Sequence, residues 1–155
     1  MPNDANERLE NIGRIVEMAL VKGMVKDDLF VDPLYFPIAV DSDYGNHAFT
    51  TIEGIRSEFG HEIHIAGGIS NVSFGIPKRR LINDVFLYLA IQAGVDSGII
   101  DPITTSAKRS LNIDLASVPV QLAMDLLKGN DDFAMNYITA FRAGDLDGPM
   151  QPEEH

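Results

Sequence analysis

Three short apolar segments of this chain each end in polar residues, and helix-like stretches separate them. The segments are Leu29–Asp32, His61–Asn71 and Val95–Asp101. Strands that alternate with helices predict an α/β fold built from parallel β-α-β units, in which every strand points the same way. The strand-end residues Asp32, Asn71 and Asp101 are therefore expected at the C-terminal edge of one sheet. Folds of this class bind their ligands at that edge.

Apolar residues at helical spacing predict the helices between these segments and after them. The first predicted helix runs from Asn3 or Asp4 to Gly23, the second ends at Gly60, and the third runs from about Lys78 to Gly94. Two further helices are predicted at 115–127 and 132–142. Asn130 or Asp131 is expected to cap the last helix. A polar connection is predicted at 103–112. The acidic tail Ala143–His155, which contains Gly and Pro, is predicted to be disordered.

Composition narrows the possible functions of this 155-residue chain. It carries a net charge of −11 and has no basic stripe, which argues against nucleic acid as a partner. It has no cysteine, which excludes disulfides, thiolate nucleophiles and cysteine metal sites. His61 and His64 stand three apart in a predicted strand and so face opposite sides, and no metal set is predicted. With no membrane span or signal peptide in the sequence, a cytoplasmic location is expected.

The segment Gly67–Pro77 reads GGISNVSFGIP and joins the second predicted strand to a long amphipathic helix. Its glycines, Gly67, Gly68 and Gly75, suggest a sharp turn or a close approach of a ligand to the backbone. Polar residues in such a loop at a strand end are typical of functional sites. The alternative is that the glycines only form the turn from strand to helix.

Four stretches, in unbroken order, resemble the pterin-binding methyltransferases. They are VDPLYFPIAVD (31–41), GGISNVSFGIPKRRLINDVFL (67–87), AGVDSGIIDP (93–102) and LLKGNDDFAMNYITAFR (126–142). That family includes the methyltetrahydrofolate:corrinoid protein methyltransferases and the folate domain of cobalamin-dependent methionine synthase. The resemblance implies a (β/α)8 barrel, which needs roughly 250 residues. Residues 1–142 correspond to its C-terminal part, a partial TIM barrel with the last three parallel strands and their surrounding helices. A homo-oligomer, a separate chain with the complementary barrel half, or the remainder of a longer protein of which this is a fragment would then cover the open edges.

The resemblance also implies an activity, which is methyl transfer between N5 of tetrahydrofolate or 5-methyltetrahydrofolate and the cobalt of a corrinoid protein. The cobalamin belongs to that partner, and neither a metal nor a membrane is expected. By the same resemblance Asn71 hydrogen-bonds N5, and Asp32 accepts hydrogen bonds from the amino-pyrimidine edge of the pterin. The other implied contacts are Gly68 and Ser70 in the same loop, Arg79 toward the folate tail or the partner, and Asp101 on the same rim. Tyr35 and Phe36 either stack on the pterin or pack in the core.

Each of these residues also has a purely structural interpretation. Asn71 could cap the following turn, Asp32 could form an Asp-Pro turn, Arg79 could be a solvated helix start, and Asp101 could form a strand-end turn. At the level of function, one alternative is a non-catalytic α/β module that oligomerises or binds a partner half. Another is a dihydropteroate synthase, which shares the fold. Its phosphate-handling cations are absent at 70–72 and 100–102, and this absence favours methyl transfer.

Overall fold

The computed structural model describes residues 4–151. Its strands are β1 (Phe30–Val31) and β2 (His64–Ile65), and its helices are α1 (Ala5–Val21), α2 (Tyr44–Phe59), α3 (Arg79–Ala93), α4 (Ala107–Leu111), α5 (Val118–Leu127) and α6 (Met135–Ala143). Short 3-10 turns occur at Lys26–Asp28, Ile69–Asn71, Asp132–Ala134 and Asp145–Asp147. Among these residues, no helix is both long and apolar enough to cross a bilayer.

The two strands form a parallel sheet, as the alternating pattern predicts. Phe30 pairs with His64 and Val31 with Ile65. The α/β class is therefore confirmed in a coarse form, with mostly helices around a small parallel sheet. That the sheet is part of a barrel stays a prediction.

The third predicted strand is reduced to a single parallel bridge between Gly68 and Ile99. The reason lies at its start, where the Ile65 N–H donates to Asp96 Oδ1 at 2.8 Å. A side-chain oxygen thus takes the place that a backbone carbonyl has in a regular ladder. Further along, the Ile99 N–H still donates to the Gly67 carbonyl at 2.9 Å, so the segment lies beside β2 in the predicted order.

Most predicted helix ends agree with the structure. Asp4 caps α1 by accepting a hydrogen bond from the Glu7 N–H at 2.9 Å. Gly60 and Gly94 end α2 and α3 with φ of 69° and 122°, values that glycine adopts without strain. Helix α4, in contrast, lies in the segment predicted to be a polar connection. Ser106 caps it by accepting from the Arg109 N–H at 3.4 Å.

Helix α3 lies at the centre of the core. Its Ile82 and Phe86 are fully buried, as are Ile52 of α2 and Ile65 of β2. Each such side chain contributes about 1.5–3 kcal/mol relative to an exposed one. The helix also carries a fully buried carboxylate, Asp84, whose two oxygens accept hydrogen bonds from the Arg109 guanidinium, both at 2.8 Å. These contacts hold α4 against α3.

The tail packs against the rest of the chain up to Met150. Leu146 is buried, the Lys78 ammonium pairs with Asp147, and the Asp114 N–H donates to the Met150 carbonyl at 2.8 Å. The expectation of disorder over 143–155 therefore differs from the order found at 143–150, since Ala143 ends α6 and the contacts continue to Met150. Residues 152–155 lie outside the described residues, and for them disorder stays a prediction.

Candidate functional site

Asp32 and Asn71 line one cleft at the C-terminal ends of β1 and β2. The cleft has a volume of about 290 Å³. Its lining consists of Asp32, Leu34, Tyr35, Phe36, Pro37, Asn71 and Phe74. The two polar groups that the sequence places at one edge of the sheet thus meet on a largely aromatic wall.

The Asp32 carboxylate has one oxygen engaged within its own turn. Oδ1 accepts a hydrogen bond from the Leu34 N–H at 2.8 Å, which is the turn that an Asp-Pro sequence favours. Leu34 has a φ of 62°, a left-handed conformation that leucine rarely adopts. No residue in the described part of the chain donates to Oδ2. The structural and the functional interpretations of Asp32 are therefore compatible, because the turn orients a carboxylate that keeps a free acceptor.

Gly67 allows this arrangement because it lets two side chains approach the end of β2. A Cβ at this position would lie 2.6 Å from a ring carbon of Tyr35 and 3.0 Å from Asp32 Oδ1. At Gly68, a Cβ would lie 3.1 Å from the side-chain nitrogen of Asn71. The close approach predicted for these glycines is thus made by the cleft's own side chains.

Asn71 closes a turn with its backbone and leaves its side chain unused. Its N–H donates to the Gly68 carbonyl at 3.1 Å, and its own carbonyl accepts from the Phe74 N–H at 3.2 Å. The side-chain amide is exposed and makes no hydrogen bond with any of residues 4–151. Both a donor and an acceptor therefore remain available at the cleft.

Arg79 braces the turn that carries Asn71. Its Nη2 donates to the Ser70 carbonyl at 2.9 Å, and its Nε donates to Ser73 Oγ at 3.1 Å. Its guanidinium also lies 5.7 Å from the centre of the Phe74 ring, within cation–π range. Neither Arg79 nor Ser70 lines the cleft, so both reach it only through the turn.

The structure does not bring Asp101 to the cleft. Its Oδ1 accepts from the Ile103 N–H and its Oδ2 from Thr104 Oγ1, both at 3.0 Å. These hydrogen bonds hold the pKa of Asp101 below its usual value, because they favour the carboxylate. Both oxygens are thus engaged in a local turn, which is the structural alternative expected for this residue.

Two aromatic residues of the lining have different surroundings. Tyr35 is buried and packs edge-on against Phe86 with ring centres 4.9 Å apart, and burial raises the pKa of its phenol. Its hydroxyl has no hydrogen-bond partner among the described residues. Phe36 is half-buried, with the Arg8 guanidinium 4.8 Å from its ring centre.

The sequence interpretation missed Phe74 and Leu34. Phe74 is 66% exposed and lines the cleft from within the Gly67–Pro77 loop, so its place in that loop was an available signal. Leu34 carried no signal, because leucine is not expected in a left-handed conformation. Within residues 4–151, no group of three or more His, Asp or Glu side chains is placed to hold a metal ion.

Fold and site together define an α/β protein with an aromatic cleft, between a carboxylate and an amide, at the C-terminal edge of a parallel sheet. A family model described as "pterin binding enzyme" matches residues 2–101, the segment that contains both polar groups. The chain therefore belongs to the family of pterin-binding enzymes.

Among curated proteins, the chain is similar to a methylcorrinoid:tetrahydrofolate methyltransferase of Eubacterium limosum. The two are 33% identical over an alignment 155 positions long, which covers 97% of this chain and 51% of the relative. The chain thus spans about half the length of the curated relative it matches.

Proposed function

We propose that this chain provides a pterin site for methyl transfer between N5 of tetrahydrofolate and the cobalt of a corrinoid protein. One observation carries the proposal, which is that Asp32 and Asn71 line the same cleft, each with a free hydrogen-bonding group. The name of the Eubacterium relative, which joins a methylcorrinoid to tetrahydrofolate, supports the same reaction.

Asp32 is suited to hold the pyrimidine edge of a pterin. That edge presents an amino group and a ring N–H, which are neighbouring donors, and an ionised carboxylate offers only acceptors. Hydrogen bonds to an ionised group are roughly twice as strong as those between neutral groups. Because the Leu34 N–H already fixes Oδ1, the free Oδ2 is oriented before a ligand arrives.

Asn71 is suited to contact N5. In transfer to the folate, N5 attacks the methyl group, the cobalt–carbon bond breaks with its electron pair left on cobalt, and N5 releases its proton to water. In the reverse direction, N5 must gain a proton as the methyl group leaves it. An amide can accept a hydrogen bond from N–H or donate one to a bare nitrogen, so one side chain serves both states. It does not itself supply the proton.

The size of the cleft indicates which part of the substrate it holds. At about 290 Å³, the cleft lies at the low end of the roughly 300–1,000 Å³ found for ligand pockets. It suits the bicyclic head of a folate, and the tail would extend beyond it. Tyr35, Phe36 and Phe74 supply apolar faces for a flat ring.

We further propose that this site works within a larger assembly, either a homo-oligomer or a complex with a complementary barrel half. The carbonyls of Leu29 and Val31 accept hydrogen bonds from the N–H groups of His64 and Ala66, both at 2.9 Å. In this parallel register the N–H of Phe30 faces the outer edge of β1, where no described residue pairs with it. The Phe30 ring stacks on His64 and is 62% exposed. Helix α1 also exposes apolar side chains, with Ile15 58% and Met18 61% exposed. Open strand edges and apolar faces of this kind are normally covered.

A direct assay tests the proposed reaction. The purified protein is mixed with methylcobalamin and tetrahydrofolate, and the products are followed as cob(I)alamin by absorbance and 5-methyltetrahydrofolate by chromatography. We expect both products in equal amounts. Synthesis of dihydropteroate from a dihydropterin diphosphate and p-aminobenzoate would contradict the proposal. A folded protein that binds the folate without turnover would favour the non-catalytic module instead.

A further inference from the structure

A second groove adjoins the cleft. It has a volume of about 390 Å³, and its lining includes Ile38, Val40, Asp41, Asp132, Phe133 and Ile138. The two depressions are neighbours along the chain, because Pro37 lines the cleft and Ile38 lines the groove. A hydrogen bond also links the segments that line the two depressions. The Ile38 N–H donates to the carbonyl of Val72 at 3.1 Å, and Val72 directly follows Asn71. A molecule seated in the groove would therefore lie beside the proposed pterin site.

The groove is bordered by a strained and exposed aromatic residue. Phe133 and Ala134 have φ of 54° and 56°, so two successive residues with a Cβ adopt the left-handed conformation. The next element is firmly anchored, since Asp131 is 1% exposed and accepts from the N–H groups of Asn136 and Tyr137 at 2.9 and 2.8 Å. The strained turn leaves Phe133 93% exposed. Strained backbone of this kind tends to occur at functional sites.

The chemistry of the groove limits what fits it. The charged side chains in its lining are carboxylates, Asp41 and Asp132, and the chain as a whole carries a net charge of −11. The remainder of the lining is mostly apolar, and its Val40 is 74% exposed. A complementary segment has an apolar side chain flanked by Lys or Arg. At this groove, the two carboxylates disfavour contact with the acidic surface of a second copy of the chain.

We propose that this groove docks the protein that carries the corrinoid, through an apolar side chain flanked by basic residues. The inference rests on the proposed function, because it assigns a partner to the surface beside the methyl-transfer site. Docking here places the partner next to the cleft that holds N5.

The test compares two methyl donors, free methylcobalamin and a methylcobalamin-loaded corrinoid protein from Eubacterium limosum. In Phe133→Ala, we expect the rate with the protein-bound donor to fall at least 10-fold and the rate with free methylcobalamin to stay unchanged. The matched control is Phe141→Ala, which removes an exposed phenylalanine ring of α6 that does not line the groove. It should retain both rates. Asp132→Asn should weaken the salt dependence seen with the protein-bound donor only.

Three outcomes would overturn the inference, and they differ from one another. If Phe133→Ala keeps the wild-type rate and the wild-type affinity for the corrinoid protein, the docking surface is wrong and the proposed function stands. If the wild-type protein transfers methyl from neither donor, the proposed function fails and the inference fails with it. If light scattering shows a dimer that Phe133→Ala dissociates, the groove holds a second copy of this chain.

Discussion

Asp32 and Asn71 belong to different β-α units, yet their side chains line the same cleft. The backbone fixes both residues locally, Asp32 through the N–H of Leu34 and Asn71 through the carbonyl of Gly68. One carboxylate oxygen and one whole amide group remain free among the described residues. The site is therefore held by local turns and keeps its ligand-binding groups available.

The role given to Asn71 predicts a selective loss of rate. Asn71→Ala should lower the rate of methyl transfer by about 100-fold, since a positioned hydrogen-bonding group has an effect of that order, and should change folate affinity much less. Single-turnover kinetics with titration of the folate separates the two quantities. Ser70→Ala is the matched control, because Ser70 contributes its carbonyl and not its hydroxyl. Equal rates in wild type and Asn71→Ala would mean that the amide does not act at N5.

The close approach at Gly67 predicts a loss of stability. Gly67→Ala would place a methyl group 2.6 Å from the Tyr35 ring, and overpacking of this kind costs about 1–3 kcal/mol of unfolding free energy. Folate affinity should fall too, because the new Cβ would also lie 3.0 Å from Asp32 Oδ1. Gly98→Ala serves as the control, since its new Cβ would meet its nearest neighbour at an ordinary 3.4 Å. Urea denaturation measures the unfolding free energy of both variants. Equal stability of Gly67→Ala and Gly98→Ala would contradict this prediction.

The surroundings of His64 predict a dependence of stability on pH. Its Nδ1 lies 2.9 Å from Asp96, and Asp27 lies 3.5 Å from its other ring nitrogen. The hydrogen bond to Asp96 is the main reason that the pKa of His64 is raised in the folded state. Because its pKa is raised, protonated His64 stabilises the folded state. This contribution is fully present below the unfolded pKa of about 6.5 and is lost as pH rises through the folded pKa.

Urea denaturation of wild type and His64→Gln across pH 5.5–8.5 checks this sign. The advantage of wild type over the variant should shrink as pH rises through the folded pKa. Asp96, the partner of His64, behaves in the opposite way. Partial burial raises its pKa, but the hydrogen bonds from the Ile65 N–H and His64 outweigh this effect and lower it. The stabilising contribution of the Asp96 carboxylate therefore disappears in acid. An advantage of wild type that grows between pH 6.5 and 8.5 would contradict the assignment.

The open edge of β1 predicts how the assembly can be broken. Phe30→Pro removes an outward N–H without touching the carbonyls that pair with β2. The preceding residue, Leu29, has φ −96° and ψ 120°, which a following proline tolerates. Phe30→Ala loses the ring but keeps the N–H. Light scattering should show partial dissociation for Phe30→Ala and full dissociation for Phe30→Pro, whereas an unchanged mass for Phe30→Pro would exclude this edge as an interface.

The sequence predicted what depends on local pattern. The alternation of strands and helices, a helix cap at Asn3 or Asp4 and the glycine stops at Gly60 and Gly94 follow from residue preferences, and the structure has them, with Asp4 as the cap. It did not predict that a side chain, Asp96, would replace part of the third strand's ladder. Such a contact depends on tertiary position, which periodicity does not encode.

The candidate site was predictable in part for the same reason. Asp32 and Asn71 follow from the rule that parallel strands end at one edge. The bracing role of Arg79 and the exclusion of Asp101 depend on which atoms their turns engage. Leu34 enters the cleft through a left-handed backbone conformation that its residue type does not indicate, whereas the position of Phe74 in the Gly67–Pro77 loop was an available signal.

Calorimetric titration with 5-methyltetrahydrofolate shows whether the Asp32 carboxylate binds the pterin edge, as we propose. The protein should be titrated as wild type, Asp32→Asn and Asp101→Asn. Asparagine at position 32 can keep the turn with Leu34 but offers a donor where the pterin needs an acceptor, so affinity should fall at least about 10-fold. Asp101→Asn should bind like wild type, because that carboxylate serves only its own turn. Equal affinities of Asp32→Asn and wild type for 5-methyltetrahydrofolate would contradict this role of Asp32.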